Sequence, residues 1–446
     1  MHFIRPNDDK AVLERDGSEP AQAAVGGTAR VAREVIYLDP AYSLDTVRRR
    51  HQHQYVRSRN RGGYFTFVWG VHPFVGISGN RWAGPIREVP FDRDQIVFDG
   101  FEEGVSIPRW LIPLNVIWAG LRLMWKLARL ARSDRVKAIF AADISGSALL
   151  GLILSKVSGK PLLVAVYANQ DENWEANRRL ASPRLLPSRR LEKWVSNLVL
   201  RAAVMVEVGT QNMRDYAVRN GADPARIAIL PVVKFISGAH FKEPGDRPDP
   251  GPFLRSRGVP LAPVYLLYVG RFADFKHTAD VIPAMEVVIR HSPEVIGLLA
   301  GTGELAQKLR GEIEGRGLEQ QIFLLGDCDH QTLAELAPHS VTLSPLTGMA
   351  LVETSLAGSP PVVYDRDWQP EFVTDGEDGF VVPFRDCVAM GEKALLLASD
   401  PALRRRLGDN ARRKALAFAD QEKHAIKERD ALTAALEPEH RERTQA

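Results

Sequence analysis

Short apolar, β-branched runs alternate with amphipathic stretches that often end in glycine, and they do so in both halves of the chain. In the first half the runs are "EVIYLDP", beginning at Glu34, "VKAIFAAD" (136–143), "PLLVAVYA" (161–168), "VMVEVG" (204–209) and "RIAILP". Helical stretches such as "SGSALLGLILSKVSG" (145–159), "RRLEKWVSNLVLRAA" and "TQNMRDYAVRNG" lie between them. The second half repeats the alternation more cleanly, with "VYLLYVG" (264–270), "EVIGLLAG" (294–301), "QIFLLG" (321–326), "VTLSP" (341–345), "PPVVYD" (360–365) and "GFVVPF" (379–384). Strands this apolar throughout are buried on both faces, as in a parallel sheet covered by helices. The pattern predicts an α/β chain of two doubly wound, Rossmann-like domains facing each other across a cleft.

Length agrees: 446 residues exceed one ordinary core and suit two domains of about 150–200 residues each. The expected division is a flexible leader over 1–33, a first domain over 34–239, a linker over 240–263, a second domain over 264–418, and a helix and tail over 419–446. The linker rests on six prolines in 24 residues. Hydrophobic content of 45% and charged content of 25% are globular values. A net charge of +3 gives no reason to expect a nucleic-acid partner. Cys328 and Cys387 make no disulfide framework and have no metal-ligand spacing, which suits a reducing, cytoplasmic setting. The N-terminal segment shows no apolar core of a signal peptide, and no membrane-spanning helix is expected.

Two segments leave membrane contact open. The run "WLIPLNVIWAGLRLMWKLARLAR" (110–132) carries three Trp and gathers basic residues at its end. It reads first as a helix packed on a sheet with solvated basic residues, and alternatively as a peripheral helix on the inner face of a membrane. The run "TVRRRHQHQYVRSRNRG" (46–62) holds six Arg and no acid. It reads as a solvated basic segment or as a contact for anionic lipid.

Ligands of open parallel sheets bind at the carboxyl ends of the strands, so the residues after each strand carry the chemistry. After the first strand of the second domain, Gly270 permits a tight turn and Arg271 and Lys276 follow. A guanidinium fork and a point ammonium at such a place suit a diphosphate. "GTGEL" (301–305) lacks the third glycine of a dinucleotide fingerprint; Gly303 reads as part of a strand-to-helix turn passing close to a nucleotide. In "SPLTGMALVETSLAGSPPVV", Thr347, Gly348, Met349 and Ala350 stand at a helix start, where free N–H groups attract an anion. Glu353 stands among apolar residues with no basic residue in the run. A buried carboxylate needs donors, and the two hydroxyls of a ribose would supply them. Asp365 and Asp367 form a D-x-D that reads as a helix-capping loop ahead of Gln369. No His/Cys/Asp cluster has metal spacing, so no metal is expected.

These residues, in order and spacing, resemble the donor-binding half of the group 1 (family four) retaining glycosyltransferases of GT-B architecture. The match runs through "VGR" with Lys276, "AGTGEL", "FLLG", "LVETSLAGSPPVV" and "VTDGEDGFVVPF", roughly 150 residues. The first half resembles the same family through "RAAVMVEVGTQNMRDYAVRNGADPARIAILP". The resemblance implies transfer of a sugar from a nucleotide-diphosphate sugar to a glycan or lipid-linked acceptor, with retention and without a metal, as in polysaccharide biosynthesis. It assigns the diphosphate to Arg271 and Lys276, as catalytic residues, and the ribose to Glu353. Three departures stand out. Pro345 occupies the place of the family's first donor-loop Glu, leaving backbone groups of Gly348, Met349 and Ala350 to meet the sugar. The strand ends "FAADISG" and "VYANQDE" lack the family's sugar-orienting His and offer Asp143, Tyr167, Asn169 and Asp171 on the acceptor side. "LPVVKFISGAHF" replaces a Gly-rich segment and offers Lys234. The departures keep a second reading open, a weak or inactive GT-B protein that binds nucleotide-sugar or partner transferases.

Overall fold

The computed structural model describes residues 32–437 other than 41–42, 50–52, 78–79, 183–185 and 235. The expected leader therefore lies outside the described residues except for 32 and 33. The first sheet holds β1 (Glu34–Leu38), β2 (Phe67–Val71), β3 (Arg81–Asp92), β4 (Gln95–Ser106), β5 (Val136–Ala141), β6 (Leu162–Val166), β7 (Met205–Val208) and β8 (Ile227–Ile229). The second holds β9 (Tyr265–Val269), β10 (Ile296–Ala300), β11 (Ile322–Gly326), β12 (Ser340–Ser344), β13 (Pro361–Tyr364) and β14 (Phe380–Val382).

Spatial order in the first sheet is β3-β4-β2-β1-β5-β6-β7-β8, and in the second β11-β10-β9-β12-β13-β14. The second sheet is parallel throughout. In the first, β3 and β4 form an antiparallel pair and the other pairings are parallel. Among the parallel strands each order reverses once, between β1 and β5 and between β9 and β12. These two points are where a doubly wound sheet opens a crevice for a ligand.

Cores lie on both faces of each sheet. One face of the first sheet packs Ile36 and Ile139 under Leu123, Leu152 and Val199, and the other packs Tyr37, Phe140 and Leu163. In the second domain Leu266 and Leu299 meet Met285 and Met390, while Leu267 and Leu298 meet Leu254 and Leu336.

Residues 240–263 are not a free linker. They form short helices at Pro244–Asp246 and Gly251–Ser256, and the Arg247 guanidinium donates to the carbonyls of Ala334 (2.6 Å) and His240 (2.9 Å). The helix Pro401–Phe418 packs on the second domain, through Ala415 beside Leu356. The helix Gln421–Leu436 returns to the first, where Leu432 joins Tyr64 and Phe65. A second crossing between the domains is made by Glu371, whose carboxylate accepts from the backbone N–H of Gln211 (2.8 Å) and Asn212 (2.6 Å).

Candidate active site

A cavity of about 500 Å³ lies where the carboxyl ends of the two sheets face each other. Asp39 follows β1 and Ala142 follows β5; Lys276 follows β9, and Gly348 and Met349 follow β12. Both switch points thus open into one space. Tyr167 after β6, Trp368 after β13 and Phe418 complete its walls.

Lys276 ends the short turn Asp274–Lys276. Burial lowers its pKa, and Asp367 opposes that shift. Among the described residues it has no ion-pair partner, so its charge is directed at whatever fills the cavity. Gly348 adopts φ +75°, a left-handed turn that favours glycine, and a Cβ there would meet the Lys276 Nζ at 3.6 Å. The ammonium and this turn therefore frame one small space. The turn is pinned from below: the Thr347 hydroxyl bonds Ser344 Oγ at 2.5 Å, and Gln369 donates to the same oxygen. Thr347 is thus engaged in shaping the loop.

Arg271 stands apart from the cavity lining. It is exposed and its Nη2 lies 3.1 Å from Glu304 Oε2. Gly270 and Gly303 serve close packing of two strand-end turns: Phe272 N–H donates to Thr302 O, and a Cβ on Gly303 would sit 2.2 Å from Phe272 O. Ala350 opens the helix Ala350–Leu356 that carries Glu353.

Glu353 is not among the cavity's lining residues; its backbone N–H bonds the carbonyl of Met349, which is. It is mostly but not fully enclosed, with 12% of its side chain exposed, and burial pushes its pKa up to about 7. Its neighbours come from outside its own run. His330 Nδ1 lies 3.6 Å from Glu353 Oε1, and His240 Nε2 lies 3.3 Å from His330 Nδ1. Burial holds His240 down to about 3, reinforced by His330 and Arg247, and burial also lowers His330 against the opposing pull of Asp329. At neutral pH both lowered imidazoles tend to the neutral form, so they offer the carboxyl hydrogen-bonding groups rather than a strong ion pair. Among the described residues, these three also bring their ligand atoms within 4.8 Å of one another. Two imidazoles and one carboxylate are a donor set suited to zinc.

On the first-domain side, Asp39 is buried and held by Arg59 (2.7 Å) and by the Tyr55 hydroxyl. Arg59 reaches His72 (2.9 Å), and His72 Nδ1 lies 2.7 Å from Asp99. His72 follows β2, so a His does stand at a strand end of this domain. Its two ring nitrogens are taken up by Asp99 and Arg59, and it is turned away from the cavity lining. Asp143 oxygens accept from Ser145 Oγ (2.8 Å) and Ala148 N–H (3.0 Å), anchoring the start of a helix. Asn169 caps the helix Gln170–Asn177, and Asp171 pairs with Arg189 and Lys193. Lys234 pairs with Glu428 and lines a smaller adjoining cleft that shares Tyr167, Pro231 and Val232 with the cavity. Of the acceptor-side candidates, Tyr167 lines the cavity. Asp39 and Tyr55 were missed; the available signal was that Asp39 is the first polar residue after β1, at the switch point.

Residues 26–232 match the Glycosyl transferase 4-like domain, and residues 254–414 match the Glycosyl transferases group 1 family. The chain belongs to the group 1 glycosyltransferases. It is 26% identical over 311 residues to Alpha-D-kanosaminyltransferase of Streptomyces kanamyceticus, across 66% of this chain and 77% of that protein. It is 27% identical over 157 residues to Poly(glycerol-phosphate) alpha-glucosyltransferase of Bacillus subtilis, across 34% of this chain and only 23% of that protein. The structure of Anabaena HepE in complex with UDP-glucose superposes with a TM-score of 0.62 at 15% identity, covering 90% of this chain and 99% of that one. The architecture of this group 1 glycosyltransferase is GT-B.

Proposed function

We propose that this chain is a retaining, metal-independent transferase that moves a hexosyl group from a nucleoside-diphosphate sugar to a glycan or lipid-linked acceptor. The observation that carries the reading is the single cavity at both switch points, with the Lys276 ammonium facing the Gly348 turn. The diphosphate lies against Lys276 and the backbone of Gly348 and Met349, with Arg271 at the outer edge. Preorganised donors there stabilise the charge that builds on the leaving phosphate. The ribose lies along the helix toward Glu353, and Tyr167 faces the acceptor. The sugar's C1–O bond to phosphate breaks, the acceptor oxygen bonds C1 on the same face, and the acceptor proton passes to the leaving phosphate. The names of two relatives, an alpha-D-kanosaminyltransferase and an alpha-glucosyltransferase, support transfer to α-linked products. The UDP-glucose held by HepE supports a nucleoside-diphosphate sugar donor. Unpaired Cys328 and Cys387 support a cytoplasmic setting.

Pro345, in place of a donor-loop acid, favours the second reading of a binding protein with little turnover. Release of nucleotide from a panel of nucleotide-sugars, with and without EDTA, separates the two. Turnover or slow hydrolysis that persists in EDTA is expected. Nucleotide binding with no release from any donor would sink the enzyme reading, and turnover abolished by EDTA would sink metal independence.

A further inference from the structure

Three helices, Ile112–Ala131, Gly146–Ser158 and Arg189–Ala202, cover one face of the first sheet, and their inner residues Leu123, Leu152 and Val199 share one core. They pack side by side in that order along the sheet. Their outer faces all point away from it, and these faces are apolar. Trp110 (73% exposed), in the turn Arg109–Leu111 that leads into the first helix, and Leu114, Ile117, Trp118, Leu121 (62%) and Trp125 (65%) on the helix form one stripe. Ile153 and Val157 on the second helix, and Trp194 (61%) and Leu198 on the third, extend it sideways. A shallow groove between the second and third helices is floored by Leu149, Leu152 and Leu198. Contiguous exposed apolar surface of this extent marks an interaction site.

Charge identifies the occupant. The first two helices contain no acidic residue, and the acid on the third, Glu192, is buried and bonded to Arg189. Exposed cations border the apolar face instead: Arg109, Arg129, Arg132, Lys156, Arg190 and Arg201. The Arg129 guanidinium lies 4.8 Å from the centre of the Trp125 ring, which places a cation and an indole side by side. Indoles beside cations are what the headgroup region of a bilayer accommodates, with apolar bodies below and charges among phosphates.

The segment Arg109–Ala131 is long and apolar enough, by length and composition, to cross a membrane. That corrects the expectation that no helix would qualify. Crossing is opposed by its inner face, where Asn115 bonds the backbone of Arg81 and Ala83 and Leu123 and Leu127 are core residues. A helix so held lies flat. The other basic segment, 46–62, does not serve this purpose through Arg59 and Arg61, which are buried against Asp39, Glu207 and Glu428.

We infer that the three-helix face of the first domain docks in the plane of an anionic phospholipid membrane, with Trp110, Trp118 and Trp125 in the headgroup layer. The chain leaves Ala131 for the amino end of β5, so the Trp110 end of the stripe lies at the carboxyl edge of the sheet, the edge that lines the cavity. Docking of this face brings the cavity's rim to the membrane. The docking itself stands whether or not the transferase reading holds.

The test is sedimentation of the full chain with phosphatidylcholine vesicles, with and without phosphatidylglycerol, at low and raised salt. Binding to the phosphatidylglycerol vesicles is expected, weakened by salt and accompanied by a blue shift of tryptophan emission. Trp118→Asp with Leu121→Asp should weaken it at least about tenfold, the worth of one large apolar contact. Both positions are exposed, so thermal stability should be kept. Arg129→Glu with Lys156→Glu should remove the preference for phosphatidylglycerol. No binding to either vesicle at low salt would overturn the inference. So would a stable dimer in sedimentation velocity that the Trp118 and Leu121 changes dissolve, since the face would then be covered by a second copy.

Discussion

Glu353, on the helix Ala350–Leu356, is largely enclosed and faces two imidazoles that arrive from distant sequence. The run around it contains no cation, so the sequence pointed to a ligand hydroxyl as its donor. The two histidines lie outside that run, and periodicity cannot see such a neighbour. Because their pKa values are lowered, they leave Glu353 without a positive partner, and burial sets its pKa at about 7. The sign of the linkage follows. The folded pKa lies above the unfolded one, so the stabilising effect of the protonated form is present at low pH and is lost as pH rises toward about 7. A ribose that donates hydrogen bonds to the carboxylate favours the ionised form. Nucleoside-diphosphate affinity should therefore rise by up to about tenfold between about pH 6 and about pH 8. Calorimetry of the wild type beside Glu353→Gln measures this, the variant correcting for ionisation of the phosphate and of His330, His240 and Arg247. An identical pH profile in the two proteins would remove Glu353 from the ribose site.

The helix Gln421–Leu436 joins the two ends of the chain's fold by a buried charge cluster. Arg61 Nη1 lies 2.9 Å from both Glu207 of β7 and Glu428 of this helix, and Lys234 also meets Glu428. Burial raises the Glu207 pKa against the opposing pull of Arg61. Removing the guanidinium would leave two buried carboxylates facing each other. Arg61→Ala is expected to destabilise the fold by about 3–5 kcal/mol, read by urea denaturation; a loss below about 1 kcal/mol, the range of a surface pair, would contradict it. The sequence showed a helix and tail over 419–446; that the helix buries a face at His424, Glu428 and Leu432 is seen in the structure. The sequence could not show that the face packs on the first domain, because an amphipathic pattern does not name its partner. β3 and β4 were hidden for another reason. Pro85, Pro90 and several charges break the alternation of β3, which an edge strand tolerates because one side of it needs no hydrogen bonds.

Across the whole molecule, the cavity depends on bringing two strand-end regions together. Each doubly wound domain was legible by itself, because alternation of buried strands and helices is local. Of the residues expected from strand-end reasoning, Lys276, Gly348, Met349 and Tyr167 line the cavity. That reasoning did not find Asp39, whose strand end was treated as the start of the fold. It also assigned Asp143, Asn169 and Asp171 to the acceptor, whereas each is engaged in holding local structure. Proximity to a strand end is necessary for a site residue but does not tell whether its hydrogen bonds are already used. The central claim is that this one cavity binds a nucleoside diphosphate against Lys276. Isothermal calorimetry with uridine, guanosine and adenosine diphosphates, for wild type and Lys276→Ala, tests it most directly. Binding of at least one diphosphate is expected, weakened about ten- to a hundredfold in the variant by loss of a charge-assisted contact. Wild-type binding that Lys276→Ala leaves unchanged, or no binding of any of the three, would contradict the account.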